Sequence, residues 1–418
     1  MIDVEVSTRP VHSAGLGRLL TFLLPATTAM YAVYNGIQQI LLPAQVEAID
    51  PESKVGNLAL ITTLAAIASM LALPIGGAVS DRTRSPFGRR TPWIVAMSVL
   101  SAILLVGMGL SAGIVVLTFA CVIVWFTTNF YQGAFSAILP DRVPVARRGL
   151  ASSVLGLGAP LGILFGVNVA SRVDQVWGYA ILGLCLVVSS FVLVVGAREA
   201  SSVDMAVVAR PPRRASVALR AFFEAFGSKD FGLAFLSRAC LSLAYFTVNG
   251  YLFYSMQDYI GVENIPGGNV AVAVSTLATI SVVTWTIVAI FAGWLADKLD
   301  RRKLFVGISS VGLGASMFVP IISPTWHGMV AFAILSGAFI GTYYAVDLAV
   351  MSLVLPDKDN EGRDFGILAV ATGLPQILSS VVAGVLITWL GGYIALFVFG
   401  AVCASIAGLI IMRIRSIR

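Results

Sequence analysis

Twelve stretches of this chain stay apolar for about the 20 residues a helix needs to cross a bilayer's hydrocarbon core, and each is bounded by charged or turn-forming residues. They run over 16–43, 56–79, 92–111, 113–139, 150–171, 177–197, 232–258, 269–296, 304–323, 326–355, 365–389 and 391–412. Inside hydrocarbon a backbone must satisfy its own hydrogen bonds, and a single continuous apolar stretch does so as a helix. The pattern predicts an all-α membrane protein of twelve transmembrane helices, with the lipid bilayer as its first partner. Composition agrees, since 58% of the 418 residues are hydrophobic and 11% charged, against roughly 45–50% apolar in soluble domains.

The net charge of +6 is explained by where the charge lies. With the N-terminus inside, the segments on the cytoplasmic side hold 24 of the 27 Lys and Arg; Lys54 and Arg172 fall on the other side and Arg238 within a span. An excess of Lys and Arg marks the cytoplasmic face. The expectation is a multi-pass protein of the plasma membrane, the inner membrane in a bacterium, with both termini cytoplasmic and no nucleic-acid partner. The first fifteen residues lack an apolar core followed by a cleavage site, so no removable signal peptide is expected. Cys121, Cys185, Cys240 and Cys403 all fall in spans without paired spacing, which supports neither a disulfide framework nor a metal site, and no motif for a cofactor appears.

The longest polar connection, 198–230, contains "RPPRR" and divides the chain into halves at 1–197 and 231–418. Within it "VALRAFFEAFG" (217–227) sets Phe222, Phe223 and Phe226 among charges, as a helix lying on the membrane surface or one packed on the bundle would. Landmarks recur across this linker in one frame. Gly77 and Asp81 of "GAVSD" match Gly293 and Asp297 of "GWLAD", and "LPDRVPVARRG" from Leu139 matches "LPDKDNEGRDFG" from Leu355, which aligns Arg147 with Arg363. Two six-helix halves built on one plan point to an internal duplication, with a site near mid-membrane about which the halves rock.

The loop "GGAVSDRTRSPFGRR" (76–90), echoed as "DKLDRR" (297–302), resembles the signature loop of the major facilitator superfamily. Its longer form, ending "FGRRTPWI", is similar to that of the glycoside-pentoside-hexuronide cation symporters and the sucrose-proton symporters, as is "LPDRVPVARRG" after the fourth span. The resemblance implies the superfamily's fold, two pseudo-symmetric six-helix bundles, with spans one, four, seven and ten lining a central cavity. Gly77 would let two helices approach closely, and Asp81 at a helix end can accept from arginines or helix amides. Arg82, Arg89 and Arg90 can pair with Asp141 or Asp357. With Arg147, Asp297, Arg301, Arg302 and Arg363 they would form a cytoplasmic gate that assembles when that side closes and is released when it opens.

Asp347 in span ten asks for an explanation, because a charge near the bilayer centre costs at least about 2.5 kcal/mol. Arg238 in span seven enters from the same side to a similar depth. Asp347 could take and release a proton with Arg238 responding; the pair could instead be a fixed tie between spans, or serve substrate alone. Candidate substrate contacts are Tyr31, Tyr34, Asn35 and Gln38 in span one, Thr128, Asn129 and Gln132 in span four, Tyr245 and Asn249 in span seven, and Tyr343 in span ten. Amides and phenols suit a sugar, whose hydroxyls need donors and acceptors and whose C–H face stacks on rings.

Two departures narrow the resemblance. The acids that sodium-coupled symporters carry in spans two and four are missing, and the first span lacks the acid of the sucrose carriers, so coupling would fall to Asp347. "GLSAG" (109–113) matches a nucleophile pattern without its strand-turn-helix setting, so an enzyme is not expected. "GLGAPLG" (156–162) faintly resembles a motif of proton-coupled exporters. The sequence thus reads as a secondary active transporter for a small-molecule substrate, a sugar or glycoside moved with protons by alternating access, with a drug or metabolite antiporter as the alternative.

Overall fold

The computed structural model describes residues 13–203, 226–353 and 361–414. Among them twelve helices are long and apolar enough to cross a membrane. They are α1 (Gly15–Ile49), α2 (Lys54–Arg82), α3 (Thr91–Gly109), α4 (Ile114–Arg142), α5 (Arg148–Ala170), α6 (Gln175–Gly196), α7 (Lys229–Gly250), α8 (Val270–Leu299), α9 (Arg302–Ile322), α10 (Trp326–Leu353), α11 (Glu361–Trp389) and α12 (Gly392–Ile411). Local chemistry sets several ends. Pro92 occupies the first turn of α3, where its missing N–H costs nothing. The side chains of Ser228 and Asn269 cap α7 and α8 by accepting from Phe231 N and Val272 N.

Two helices depart from the expected pattern. α1 runs past residue 43 to Ile49 through a wide π turn at Ile37–Leu41. The seventh span, expected to run to 258, ends at Gly250, and the chain continues as a short turn and a π-helical segment, Ser255–Gly261. Glycine is among the poorest helix formers, and the following Tyr251 leaves helical geometry at φ −118° and ψ 17°. The segment 204–225 lies outside the described residues, so the expected surface helix with Phe222 and Phe223 does too.

The packing repeats across the halves. In the first, α1 packs on α5 and α6, α2 on α4, and α3 on α4 and α6; in the second, α7 packs on α11 and α12, α8 on α10, and α9 on α10 and α12. Lipid gives helices no hydrophobic reason to associate, so close van der Waals contact between small residues must do it. At Gly162 on α5 a Cβ would lie 2.6 Å from the Thr28 carbonyl of α1, and Gly337 and Gly341 of α10 press in the same way on Ser281 and Trp285 of α8. Large apolar side chains such as Phe119, Ile290, Phe291 and Trp389 point outward, as a lipid solvent allows.

The halves meet along α5 against α8 and α2 against α11, two seams exchanged by the same pseudo-symmetry. Among the described residues, the hydrogen bonds and ion pairs that join the halves all lie toward the side that carries Lys54, opposite the termini.

Candidate functional site

The arginine-rich loop between α2 and α3 folds onto its own half. Arg90 is its hub, with its side chain only 4% exposed. Its Nε donates to Asp141 Oδ2 at 2.9 Å, its Nη1 to Ser80 Oγ at 2.5 Å and to the Gly77 carbonyl at 3.3 Å, and its Nη2 to Asp81. Arg89 Nη2 lies 2.6 Å from Asp141 Oδ1. Glu199 accepts from the backbone N–H groups of Arg90 and Thr91, each at 3.0 Å, so a carboxylate sits at the N-terminus of α3 where the helix dipole favours it. Among the described residues the counterpart in the second half is one pair, Arg302 with the exposed Asp297 at 2.8 Å.

Among the described residues every bond of the cluster lies within one half, so in this conformation it holds α2, α3 and α4 together. Among the described residues the side chains of Arg82, Arg147 and Arg301 join no hydrogen bond or ion pair; Asp357 and the side chain of Arg363 lie outside what the structure describes. The close approach expected of Gly77 is corrected. A Cβ there would come no nearer than 3.8 Å to the Gly133 carbonyl, whereas at Gly76 it would run into the Phe130 backbone. The tight crossing is made by Gly76 on α2 and by Gly133 on α4, whose Cβ would lie 2.9 Å from the Gly77 backbone nitrogen.

In the interior, Tyr34 of α1 donates to Gln132 Oε1 of α4 at 3.1 Å, with the rings of Tyr31 and Trp125 6.4 and 6.3 Å from its own. Asn35 accepts from Gln39 Nε2 at 2.9 Å. A chamber between the halves is lined by Gln39, Tyr245, Asn249, Ser281, Phe332 and Ser336 with aliphatic neighbours. Its volume is about 30 Å³, room for about two waters. Its walls come from α1, α5, α7, α8 and α10; α4 contributes only to the adjoining tyrosine cluster.

Asp347 is 1% exposed and Arg238 lies beside it, with Nη1 3.1 Å from Asp347 Oδ2. Arg238 Nε also donates to Thr372 Oγ1 of α11 at 2.9 Å, which ties three helices to one guanidinium. Asp347 Oδ1 and, one turn away, the Tyr343 hydroxyl are buried with no hydrogen-bond partner among the described residues. Oδ1 is thus the carboxylate oxygen that Arg238 leaves unbonded, with the Tyr343 hydroxyl as its polar neighbour. Eleven residues, about 16 Å of helix, separate Asp347 from Ser336 in the chamber wall.

The structure gathers Tyr31, Tyr34, Asn35 and Gln132 into one cluster, sets Tyr245 and Asn249 on the chamber, and puts Tyr343 beside Asp347. Thr128 bonds the Val124 carbonyl at 2.8 Å and lies beside the Tyr34 hydroxyl, and Asn129 ties α4 to Ser69 of α2 at 2.9 Å. Gln39 replaces Gln38 on the chamber wall because the π turn adds a residue and rotates everything after it. Gln39, Trp125, Ser281 and Thr372 were not anticipated; mid-helix hydroxyls read in sequence like those that merely bond their own backbone. Ser111 of "GLSAG" donates to the Gly107 carbonyl at 3.0 Å in the turn between α3 and α4.

Two repeated helical bundles that enclose a polar chamber within the membrane, with a buried ion pair below it, are the architecture of a membrane carrier. The chain belongs to the Major Facilitator Superfamily, whose family model matches residues 23–284 and 234–417. Among solved structures it is similar to the nucleoside transporter NupG, at 13% identity with a TM-score of 0.71, over 95% of this chain and 99% of that one. It is equally similar to the peptide transporter POT in complex with sulfate, at 13% identity and a TM-score of 0.71, over 95% of this chain and 94% of that one. No curated protein matches the sequence closely enough to count as a relative. At such identities the structures share the fold.

Proposed function

We propose that this carrier moves a sugar or glycoside together with protons by alternating access, with Asp347 as the coupling acid. The observation that carries the reading is Asp347 itself. It is a buried carboxylate with one oxygen on Arg238 and the other without a hydrogen-bond partner among the described residues, where gain or loss of a proton would change how strongly α7, α10 and α11 are held together. Sugar is supported by the uncharged amides, phenols and hydroxyls of the chamber and the adjoining tyrosine cluster. The halves would be 1–197 and 231–418, joined by the linker 198–230. The asymmetry of basic residues supports cytoplasmic termini in a bacterial inner membrane, which makes this conformation the one sealed toward the outside.

The test is uptake of labelled mono- and disaccharides by proteoliposomes, with and without an inward proton gradient. Wild type is expected to accumulate a sugar only with the gradient; Asp347→Asn is expected to exchange sugar without accumulating it. Gradient-driven accumulation by the variant would remove Asp347 from coupling, and no movement of any sugar would remove the substrate class.

A further inference from the structure

Lys54 opens α2 on the side away from the termini, and its side chain is only 13% exposed. Its Nζ lies 3.0 Å from Glu47 Oε1 of its own half and 2.7 Å from Asp258 Oδ1 of the other. The ammonium also sits 5.0 Å from the centre of the Tyr254 ring, a cation–π distance. Each partner is held in turn. Asp258 Oδ2 accepts from the Tyr393 hydroxyl at 2.6 Å, Glu47 accepts from Gln257 as well, and the Tyr254 hydroxyl donates to the Pro43 carbonyl at 3.0 Å. One cation thus stands between carboxylates supplied by opposite halves, with Glu47 21% and Asp258 32% exposed, so that the network rather than any single pair carries the contact.

The arrangement is not a by-product of the duplication. The repeat frame that aligns the two halves places Glu263 opposite Glu47, but it places Val270 opposite Lys54, and Glu263 is exposed. Its position bears on the chamber. Glu47 follows Gln39 on α1 by eight residues, and Asp258 follows Asn249 by nine. Between each chamber residue and its carboxylate lies part of a π turn, Ile37–Leu41 on one side and Ser255–Gly261 on the other. π turns give up the regular helical ladder and recur at functional sites. The two segments that wall the chamber are the two that the ammonium clasps together.

We infer that Lys54, with Glu47 and Asp258, is the latch that keeps the carrier shut on this side, and that its release is the step that exposes the chamber there. The arginine cluster on the opposite side braces one half; the Lys54 network is what spans both.

The test reads opening directly and needs neither sugar nor proton transport. In a variant with the four native cysteines replaced, Ala59→Cys places a thiol on the seam where α2 meets Gly384 of α11. Its labelling rate by a membrane-impermeant maleimide, added to proteoliposomes on the Lys54 side, reports exposure of that seam. Lys54→Met and Asp258→Asn are each expected to raise the rate about tenfold, and the exchange Lys54→Asp/Asp258→Lys to bring it back to within about twofold of the parent. An unchanged rate in Lys54→Met would overturn the latch. So would a raised rate that the exchange leaves raised, since that describes a loosened helix and not a lost pair. Should Lys54→Met fail to fold, Tyr393→Phe removes one support of Asp258 while keeping the ring; it is expected to raise the rate about twofold, and no change there overturns the latch equally.

Discussion

Arg238 reaches Asp347 through one guanidinium nitrogen and Thr372 through another, so it neutralises a buried charge and holds two helices at once. Removing one partner of a buried pair strands the other, at a cost of about 3–5 kcal/mol, whereas replacing both by apolar groups of similar size is often neutral. Arg238→Met is therefore expected to lower the thermal midpoint in detergent markedly, and Arg238→Met/Asp347→Leu to recover most of the loss while remaining unable to couple transport to a proton gradient. A double variant no more stable than the single one would show that the two residues are not a unit. Asp347 and Arg238 were legible in the sequence because charges are conspicuous in apolar spans. Thr372 was not, since one threonine in a helix carries no sign of whether its hydroxyl faces its own backbone or a neighbour. Gln39 was hidden for a different reason: the side-chain face of α1 is readable only while the helix keeps its regular period, and the π turn at Ile37–Leu41 breaks it.

The elements themselves were close to their expected spans, because a membrane fixes both the length and the composition of a crossing helix. What sequence does not carry is which small residue faces which neighbour. A motif centred on Gly77 suggested that this residue makes the close approach between α2 and α4. The helix is rotated by one position, and Gly76 lies against Phe130 instead. A Cβ at Gly76 meets backbone, which cannot swing aside, so Gly76→Ala is expected to cost about 1–3 kcal/mol through overpacking. Gly77→Ala, with its nearest neighbour 3.8 Å away, is expected to stay within about 0.5 kcal/mol of the parent. Folded yield and thermal midpoint of the two alanine variants, measured side by side, separate the motif's expectation from the observed packing; a larger loss at Gly77 would reverse the assignment.

At the scale of the whole molecule the halves touch along two seams of unlike chemistry. Where α5 meets α8, Asn168 Nδ2 donates to Thr279 Oγ1 at 2.9 Å and Ser171 Oγ to Ser275 Oγ at 3.0 Å; where α2 meets α11, Ala59 faces Gly384 with no side chain between them. Directional hydrogen bonds on the first seam fix the register of the halves; on the second the buried Tyr251 hydroxyl donates to the Val55 carbonyl of α2 and the Ser380 carbonyl of α11, each at 3.3 Å, and keeps the second of these when the halves separate. The internal duplication predicted rocking about a central site, and rocking requires that the polar seam break in every cycle. Ser171 and Ser275 test this, because hydroxyls already 3.0 Å apart stand where two thiols can join; a disulfide asks for Cβ atoms about 3.5–4.5 Å apart. In the cysteine-replaced background, oxidised Ser171→Cys/Ser275→Cys is expected to lose solute exchange and to regain it on reduction, with each single cysteine active throughout. Exchange that persists once the pair is fully cross-linked would mean that this seam stays shut while solute passes, and the moving parts would then have to be single helices within the bundles rather than the halves themselves.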